Sequence, residues 1–588
     1  MKINLNNRSS EDSISRRLLT LLVSLAALAS IYLIFQRPIH SRLSDLFDPF
    51  SFSGDALQHI APLWFIRSPE VINHDYIQTY YLNAILPPLF KAAYAIATLF
   101  TSPLVASKII TVALSVLFIL TVTATSNLLA GRIAAYLTAL FATGAVLKNM
   151  YFMGGIQRSF GIWLSALALH LVCSGQIIPL GVLGILAAML YPAAAVYIVA
   201  LLALVLALPA QLRGSASAWT VKKRFIFFSM CVVCCSLAIA PQLLGGSKYG
   251  PRLSLRDEAT YQEWGVGGRY TDGDRGVPLA FGPRVLSTLV SGISASRIKA
   301  LKHPQEEESN DAAFELTPSQ EGISVISFTA VCALWLIYRL RSKLTPATAR
   351  CAIFALCMLV TFVAATLLFP LLYIPSRYVT LGCNPLTPVL FPCIWKATVA
   401  NLCKSRGQLM AACAALATGI GLFVWLGWLH PTVRGLPSAS GHIALFRFVR
   451  TLPPDTIIAG WPRGMINQIP LFTAHSVLLF EEGHQIFHRD CLEELRRRTR
   501  SLIQLYAATD SAPLKELQAR YKVTHILLDK RHLEKAPAYF APFNEEIKAA
   551  RAEQAGKPLF LEQLANSKAA FESGNLVLID IQKALQAT

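Results

Sequence analysis

The sequence predicts an α-helical polytopic membrane protein of about 11 spans, followed by a small C-terminal α/β domain on the extracytoplasmic side. Hydrophobic residues make up 54% of the 588 positions, charged residues only 15%, and the mean hydropathy is +0.48. These values are typical of a multispanning chain. Apolar runs of helix length recur as far as residue 428, after which the pattern changes to short strands and amphipathic helices.

The N-terminal segment is interpreted as a cytoplasmic stretch, residues 1–17, followed by an anchor. Arg8, Arg16 and Arg17 precede the apolar run 18–35, which at roughly 1.5 Å per residue nearly crosses the hydrocarbon core. The sequence Ala27-Leu28-Ala29 also fits a signal-cleavage site. Because the run continues past that site, we favour an uncleaved anchor whose N-terminus is inside.

Basic clusters define the cytoplasmic side of the remaining spans. The net charge of +19 does not indicate a nucleic-acid partner, because Lys and Arg fall mostly in short clusters between apolar runs. If every run crossed, the cluster 222–224 would lie outside, so one run does not span. The run 85–100 is short and contains Pro87, Pro88 and Lys91, which predicts an amphipathic helix along the outer interface.

The membrane domain is therefore predicted over residues 18–429, with outer loops 36–104 and 245–322. The eleven predicted spans are 18–35, 109–129, 133–147, 160–173, 177–190, 193–208, 225–244, 323–340, 352–372, 379–395 and 409–428.

The second outer loop contains Asp272-Gly273-Asp274. This is the D-x-D form in which two carboxylates hold a divalent ion against a phosphate. A calcium-like site or a plain turn fits the same three residues, so a divalent cation is a possible cofactor and no metal ligand is assigned.

Residues 430–588 are predicted to form the C-terminal domain. Strands are expected at 456–460, 477–480, 524–528 and 576–579, and helices at 491–507 and 514–520. Their alternation predicts an α/β layer, and in the helix 491–507 the segment 496–498 is expected to face outward. This domain has no phosphate-binding glycine motif and no nucleophile elbow, so we expect it to bind or cover rather than to catalyse.

The residues that could carry chemistry lie on the predicted outer side. Asp55 is the candidate general base, with His59 one helical turn further on. Asp75 is the second candidate acid, and it lies between His74 and Tyr76. It could orient the acceptor or contribute to a metal site.

Two arginines at the outer ends of spans are the candidate phosphate ligands. Arg158 follows Gly154-Gly155-Ile156-Gln157, and Arg377 lies in Pro375-Ser376-Arg377-Tyr378; guanidinium forks suit phosphate oxygens. His74, Tyr76 and Tyr378 complete the predicted substrate-binding set. The alternatives are that Asp55 is a helix N-cap and that the arginines extend to lipid headgroups.

This arrangement resembles the GT-C superfamily of membrane glycosyltransferases, which includes protein mannosyltransferases, aminoarabinose transferases and oligosaccharyltransferase subunits. The motifs concerned are Gly54-Asp55 with His59, His74-Asp75, and Pro375-Ser376-Arg377-Tyr378, and the stretch 457–529 is similar to outer domains of bacterial GT-C-like proteins. Ala56 follows Asp55, so the Asp-Glu pair of the mannosyltransferases is missing and the acceptor class stays open.

The resemblance implies a hexosyl or pentosyl transferase in the inner, cytoplasmic membrane. Its partners would be a polyprenyl-phosphate-linked sugar, the lipid bilayer, and an acceptor glycan, lipid or protein. The resemblance assigns the catalytic base to Asp55 and a second acidic position to Asp75.

Two other classes of protein compete with this interpretation. A transporter usually buries ionisable residues near mid-membrane and repeats its spans internally, whereas these spans are nearly free of charge and show no repeat. A non-catalytic assembly protein with a degenerate GT-C-like fold is the other alternative, because the Asp-Glu pair is missing.

Overall fold

The computed structural model describes most of the membrane domain and of the C-terminal domain. It covers residues 36, 39–66, 75–148, 152, 154–254, 257, 260–264, 267–269, 345–368, 372, 374–402, 436–567 and 569–587. The predicted spans 18–35, 323–340 and 409–428 lie outside the described residues, as do His74, Asp272 and Asp274.

Helices dominate the first part of the chain. After a helical stretch over 39–47, they are α1 (Ala56–His59), α2 (Tyr76–Tyr80), α3 (Pro88–Ala97), α4 (Pro103–Ala130), α5 (Arg132–Lys148), α6 (Gln157–Ser174), α7 (Ile177–Leu190), α8 (Pro192–Ala207), α9 (Val221–Ser247), α10 (Pro346–Leu367) and α11 (Ser376–Leu402).

Three of the described helices, α4, α9 and α10, are long and apolar enough to cross a membrane, with 28, 27 and 22 residues. Each of the eight predicted spans within the described residues coincides with one helix, from α4 to α11. The chain is thus a mainly helical membrane protein, while the count of about 11 spans stays a prediction. Helix α3 has 10 residues, about 15 Å, a length that fits a run that does not cross.

Local sequence explains where the long helices begin. Ser102, Thr220 and Thr345 precede α4, α9 and α10, and each side chain accepts a hydrogen bond from the backbone N–H three residues on. Proline occupies the first turn of α4 and α10, where its missing N–H costs nothing.

A five-stranded mixed sheet organises the C-terminal region, a name used here for residues 436–587. Its order is β2-β1-β3-β5-β4; β1 is parallel to β2 and β3, and β5 is antiparallel to β3 and β4. The strands are β1 (Ile457–Gly460), β2 (Ser476–Val477), β3 (His525–Asp529), β4 (Phe571–Ser573) and β5 (Leu576–Asp580). The helices are α12 (Ile443–Val449), α13 (Ile469–Thr473), α14 (Arg489–Ala507), α15 (Ala512–Tyr521), α16 (Arg531–Glu534), α17 (Phe543–Glu553), α18 (Phe560–Ser567) and α19 (Ile581–Ala587).

The sequence predicted four of these strands and helices α14 and α15, and it missed β4. One detail of α14 was wrong. Arg496 and Arg498 do not face outward: Arg496 pairs with the buried Glu263 at 3.0 Å, and the guanidinium of Arg498 lies 5.0 Å from the centre of the Tyr76 ring. Both cations contact loops of the membrane part, on which the C-terminal region packs.

The C-terminal region packs directly on the loop that carries Asp55. The Phe52 N–H donates to the Pro437 carbonyl at 3.1 Å, and the Trp64 indole donates to the Leu471 carbonyl at 2.7 Å. Aromatic rings fill the contact, with Phe52 meeting Phe472 edge to face at 5.4 Å. The first loop is therefore enclosed between the helical bundle and the C-terminal region.

Candidate functional site

Asp55 and Arg158 form an ion pair where helices α1 and α6 meet. Asp55 Oδ2 lies 3.0 Å from Arg158 Nη2, and the two side chains are 29% and 10% exposed. Asp55 occupies the N-cap position of α1, but its side chain accepts no capping hydrogen bond. The carboxylate is therefore held by a guanidinium and retains a partly accessible face, which an N-cap role would not explain.

Two glycines place Arg158 in this position. Gly154 and Gly155 have φ values of +94° and +57°, a region that costs other residues energy, and they lead into the first turn of α6. A Cβ on Gly155 would lie 2.5 Å from the Ser107 carbonyl oxygen. The Tyr94 hydroxyl donates to the Gly155 carbonyl at 2.8 Å and so fixes the turn against helix α3.

The electrostatic environment keeps Asp55 ionised. Burial by itself raises the pKa of its carboxyl, but the neighbouring basic groups Arg158, Arg377, His59 and Arg269 together lower it below the ordinary value of 3.8. The N-terminal end of α6, which carries Arg158, adds a positive partial charge in the same place. Asp55 is thus a carboxylate at neutral pH, which is the protonation state that a general base needs.

His59 lies in the same pocket as a neutral ring. Burial, reinforced by Arg158 and Arg377 and opposed by Asp55, lowers the pKa of His59 from 6.5 to about 4. The Gln157 side-chain amide donates to its Nδ1 at 3.2 Å, so the ring proton is on Nε2. His59 therefore supplies a fixed N–H donor and no charge at neutral pH.

Glu482 and Arg269 complete the charged cluster, and the sequence did not single them out. Arg269 Nη2 lies 2.9 Å from Glu482 Oε2, and the Gln58 amide donates to the same oxygen. The Tyr81 hydroxyl donates to the Glu482 carbonyl at 2.8 Å. The second carboxylate beside Asp55 thus comes from the C-terminal region and reaches the site across the packed interface.

The two carboxylates in this cluster affect each other. Burial raises the pKa of Glu482 above 4.5, the charge of Asp55 raises it further, and Arg269 opposes the increase. Counting the five charged groups named so far, Arg158, Arg269 and Arg377 outnumber Asp55 and Glu482 by one. A cluster with excess positive charge in a partly buried pocket is suited to a phosphate-bearing ligand.

Asp75 occupies a different environment from Asp55. It is the N-cap of α2, is 3% exposed, and accepts a hydrogen bond from the Gln78 N–H at 2.9 Å. Burial raises its pKa from 3.8 to about 6, against the Gln78 bond and the charge of Arg498. Tyr76 lies under Arg498 and packs on Tyr249. These residues hold α2 against the C-terminal region, and the catalytic role of Asp75 stays a prediction.

The two candidate ligands in Pro375-Ser376-Arg377-Tyr378, Arg377 and Tyr378, lie in different environments. Arg377 is near enough to Asp55 and His59 to act on both pKa values. Tyr378 is fully buried, and its hydroxyl donates to the Leu372 carbonyl at 2.7 Å. Tyr378 thus holds the turn that presents Arg377, and direct contact of Tyr378 with substrate is untested.

Among the described residues, no group of three His, Cys, Asp or Glu side chains could hold a metal ion. Asp55 and Glu482 are each paired with a guanidinium. The divalent cation therefore stays a prediction that concerns Asp272 and Asp274.

The fold and this cluster define a membrane-embedded helical protein whose polar loops and C-terminal α/β region enclose a charged pocket. No family model matches the chain, and no curated protein matches it in sequence.

Solved structures do resemble it. The oligosaccharyltransferase of Archaeoglobus fulgidus in its apo form gives a TM-score of 0.51 at 12% identity, over 86% of this chain and 70% of that one. The archaeal oligosaccharyltransferase AglB from the same organism, in complex with an inhibitory peptide and a dolichol-phosphate, gives 0.50 at 13% identity, over 86% and 69%. ArnT from Cupriavidus metallidurans, bound to undecaprenyl phosphate, gives 0.41 at 12% identity, over 94% and 98%.

At these identities, the oligosaccharyltransferase structures establish the fold alone. The fold that the GT-C resemblance implied is therefore confirmed as similar to that of a membrane-embedded oligosaccharyltransferase. Membership of the GT-C superfamily, and of its bacterial branch, stays a prediction.

Proposed function

We propose that the protein is an integral membrane glycosyltransferase. It would move a sugar from a polyprenyl-phosphate donor to an acceptor glycan, lipid or protein at the outer face of the inner (cytoplasmic) membrane. The observation on which this rests is the Asp55–Arg158 pair at 3.0 Å, with Arg377 and Arg269 acting on the same carboxyl. A base and phosphate ligands in one partly buried pocket are what this transfer requires.

In the proposed step, the acceptor hydroxyl gives its proton to Asp55 as its oxygen attacks the anomeric carbon. The bond between that carbon and the phosphate oxygen breaks, and the electron pair leaves with the polyprenyl phosphate. Arg158 and Arg377 lie at the N-terminal ends of α6 and α11 and would stabilise the departing charge. The 29% exposed side chain of Asp55 leaves room for the incoming hydroxyl.

Glu482 would contribute to acceptor binding in this scheme. It lies on the C-terminal side of the pocket and is held by Arg269 and Gln58. Carboxylate and amide groups of this kind hydrogen-bond hydroxyl-rich ligands. We therefore assign the acceptor side of the pocket to the C-terminal region and the phosphate side to the helical bundle.

The test begins with the full-length protein purified in mild detergent, from which copurifying lipids are identified by mass spectrometry. The recovered lipid-linked sugar then serves as donor in a turnover assay with wild type, Asp55→Asn and Glu482→Gln. Asp55→Asn should retain the donor lipid and lose about 10²–10⁴-fold in turnover. Glu482→Gln should mainly raise the KM for the acceptor.

A matched control is Asp257→Asn, which removes an Asp paired with the exposed Arg489. It should leave turnover unchanged. Full turnover by Asp55→Asn would refute the base assignment, and recovery of a small solute with no polyprenyl lipid would indicate a transporter.

A further inference from the structure

Two arginines with buried side chains lie at the far end of helix α6 from Asp55. Helix α6 has 18 residues, so its two ends are about 27 Å apart, close to the thickness of the hydrocarbon core. Beyond its last residue, the Gly175 carbonyl accepts from the Ser215 N–H at 2.8 Å. The turn that contains Gly214–Ala216 and the first residues of α10 meet here; we call this place the Gly175 junction.

Arg350 of α10 enters the junction beside two glycines. Its side chain is 7% exposed, and its Nε donates to the Pro346 carbonyl at 3.2 Å. A Cβ on Gly175 would lie 2.1 Å from Arg350 Nη1, and a Cβ on Gly214 would lie 2.7 Å from the same nitrogen. The φ values of these glycines are +78° and +59°. The junction therefore has room for the guanidinium only because both positions lack side chains.

Arg213 is the neighbour of Gly214 in the chain and is 9% exposed. Its Nη1 donates to the Trp219 carbonyl at 3.2 Å, while its Nε is buried without a hydrogen-bond partner among the described residues. A buried N–H without an acceptor is costly. An acceptor supplied by a ligand would remove that cost.

The elements that meet at the junction provide no counter-charge. Asp and Glu are absent from residues 76–256 and 322–454, which include α6, α7, α10 and the connecting turn. The carbonyls that accept hydrogen bonds from Arg213 and Arg350 are neutral groups and offset no charge. Two buried guanidinium groups with no carboxylate on the described elements around them are suited to binding an anion.

We propose that Arg213 and Arg350 bind a phosphate group at the Gly175 junction. Planar guanidinium forks match phosphate oxygens. Lys222 and Lys223 are exposed just beyond the turn, and Lys223 lies 5.0 Å from the centre of the Trp219 ring. Tryptophan and lysine mark a membrane–water interface, so the headgroup of an anionic phospholipid is the favoured source of the phosphate.

The test uses the full-length protein in nanodiscs of phosphatidylcholine with and without phosphatidylglycerol. Native mass spectrometry counts the phosphatidylglycerol molecules that stay bound after release from the disc. Wild type should retain one, and Arg213→Gln should retain it at least about tenfold more weakly. Lys222→Gln, which removes an exposed cation nine positions after Arg213, should behave as wild type. Equal retention by Arg213→Gln and Lys222→Gln would overturn the site.

Two further measurements keep the result decisive. Arg350→Lys preserves the charge and most of the packing but loses the fork, so its retention should lie between wild type and Arg213→Gln. Inorganic phosphate added to the detergent-solubilised protein distinguishes the source. If phosphate raises the thermal midpoint of wild type but not of Arg213→Gln, while phosphatidylglycerol is not retained, the ligand is a soluble phosphate compound. If neither probe acts on wild type, the proposal is wrong.

Discussion

The variant Asp75→Asn distinguishes between two roles of Asp75, that of a catalytic acid and that of a structural N-cap of helix α2. Asparagine keeps an oxygen that can accept from the Gln78 N–H, now 2.9 Å from Asp75 Oδ1, and it is an equally good N-cap residue. What the substitution removes is the ability to ionise at a site that is 3% exposed. We therefore expect the variant to fold, to retain turnover and to be more stable than wild type at neutral pH.

The magnitude follows from the pKa. Folding raises the pKa of Asp75 from 3.8 to about 6, a difference of about 2 units, or about 3 kcal/mol. Because the folded pKa is the higher one, ionisation destabilises the folded state. The penalty is absent below about pH 4, grows between pH 4 and 6, and is complete above pH 6. Asp75→Asn should therefore gain up to about 3 kcal/mol at pH 7.5 and almost nothing at pH 4.

The assay is denaturant unfolding of the purified protein in detergent between pH 4 and 8. Asp580→Asn is the matched control, because Asp580 also accepts from a backbone N–H near the start of a helix, that of Lys583 at 3.2 Å. The pKa of Asp580 is lowered by its hydrogen bonds from Lys583 despite burial, so this variant should lose stability at neutral pH. Loss of stability in Asp75→Asn at pH 7.5, or a gain that does not vary with pH, would refute the reasoning. Loss of turnover with normal folding would restore Asp75 as a catalytic residue.

Two other predictions concern the Asp55 pocket. Arg158→Gln removes the charged group that lowers the pKa of Asp55 most. The acidic limb of the pH–rate profile should therefore move to higher pH, and an unmoved limb would contradict the assigned pairing. Gly155→Ala places a Cβ at a φ of +57° and 2.5 Å from the Ser107 carbonyl oxygen, which should lower the free energy of unfolding by about 2 kcal/mol. The control Gly441→Ala, whose Cβ would meet nothing within 4 Å, should be nearly neutral, and equal effects in the two variants would disprove the strain argument.

The sequence predicted the class of protein and much of the C-terminal region from local patterns. Runs of apolar residues of helix length need no long-range information to be recognised, and eight predicted spans match described helices. Short buried strands bounded by turn residues, such as β1 and β3, were also recognised from local sequence. The strand β4 was missed because Phe571–Ser573 is only three residues long, with a partly exposed pattern, and its pairing with β5 decides its conformation.

The site was predictable in part. Asp55 is an acid in the first polar loop, and Arg158 follows two glycines at the start of a predicted span. Both positions are unusual for charged residues in an apolar chain, which made them recognisable. The motif around Asp75 gave the same signal as that around Asp55, yet one carboxyl caps a helix and the other pairs with an arginine. Which of these two environments a carboxyl enters depends on the neighbours that tertiary packing brings to it.

By itself, the sequence determined the membrane class, the strand-and-helix character of the C-terminal region, and the first acid and arginine of the pocket. These follow from hydrophobic periodicity and charge placement, which act over one or two helical turns. Only the tertiary structure placed Glu482 beside Gln58, 424 positions away, brought Arg269 to the same carboxylate, and left Arg213 and Arg350 buried at the Gly175 junction. Groups so distant along the chain come together only when the elements that carry them pack. Local sequence patterns therefore cannot predict these contacts.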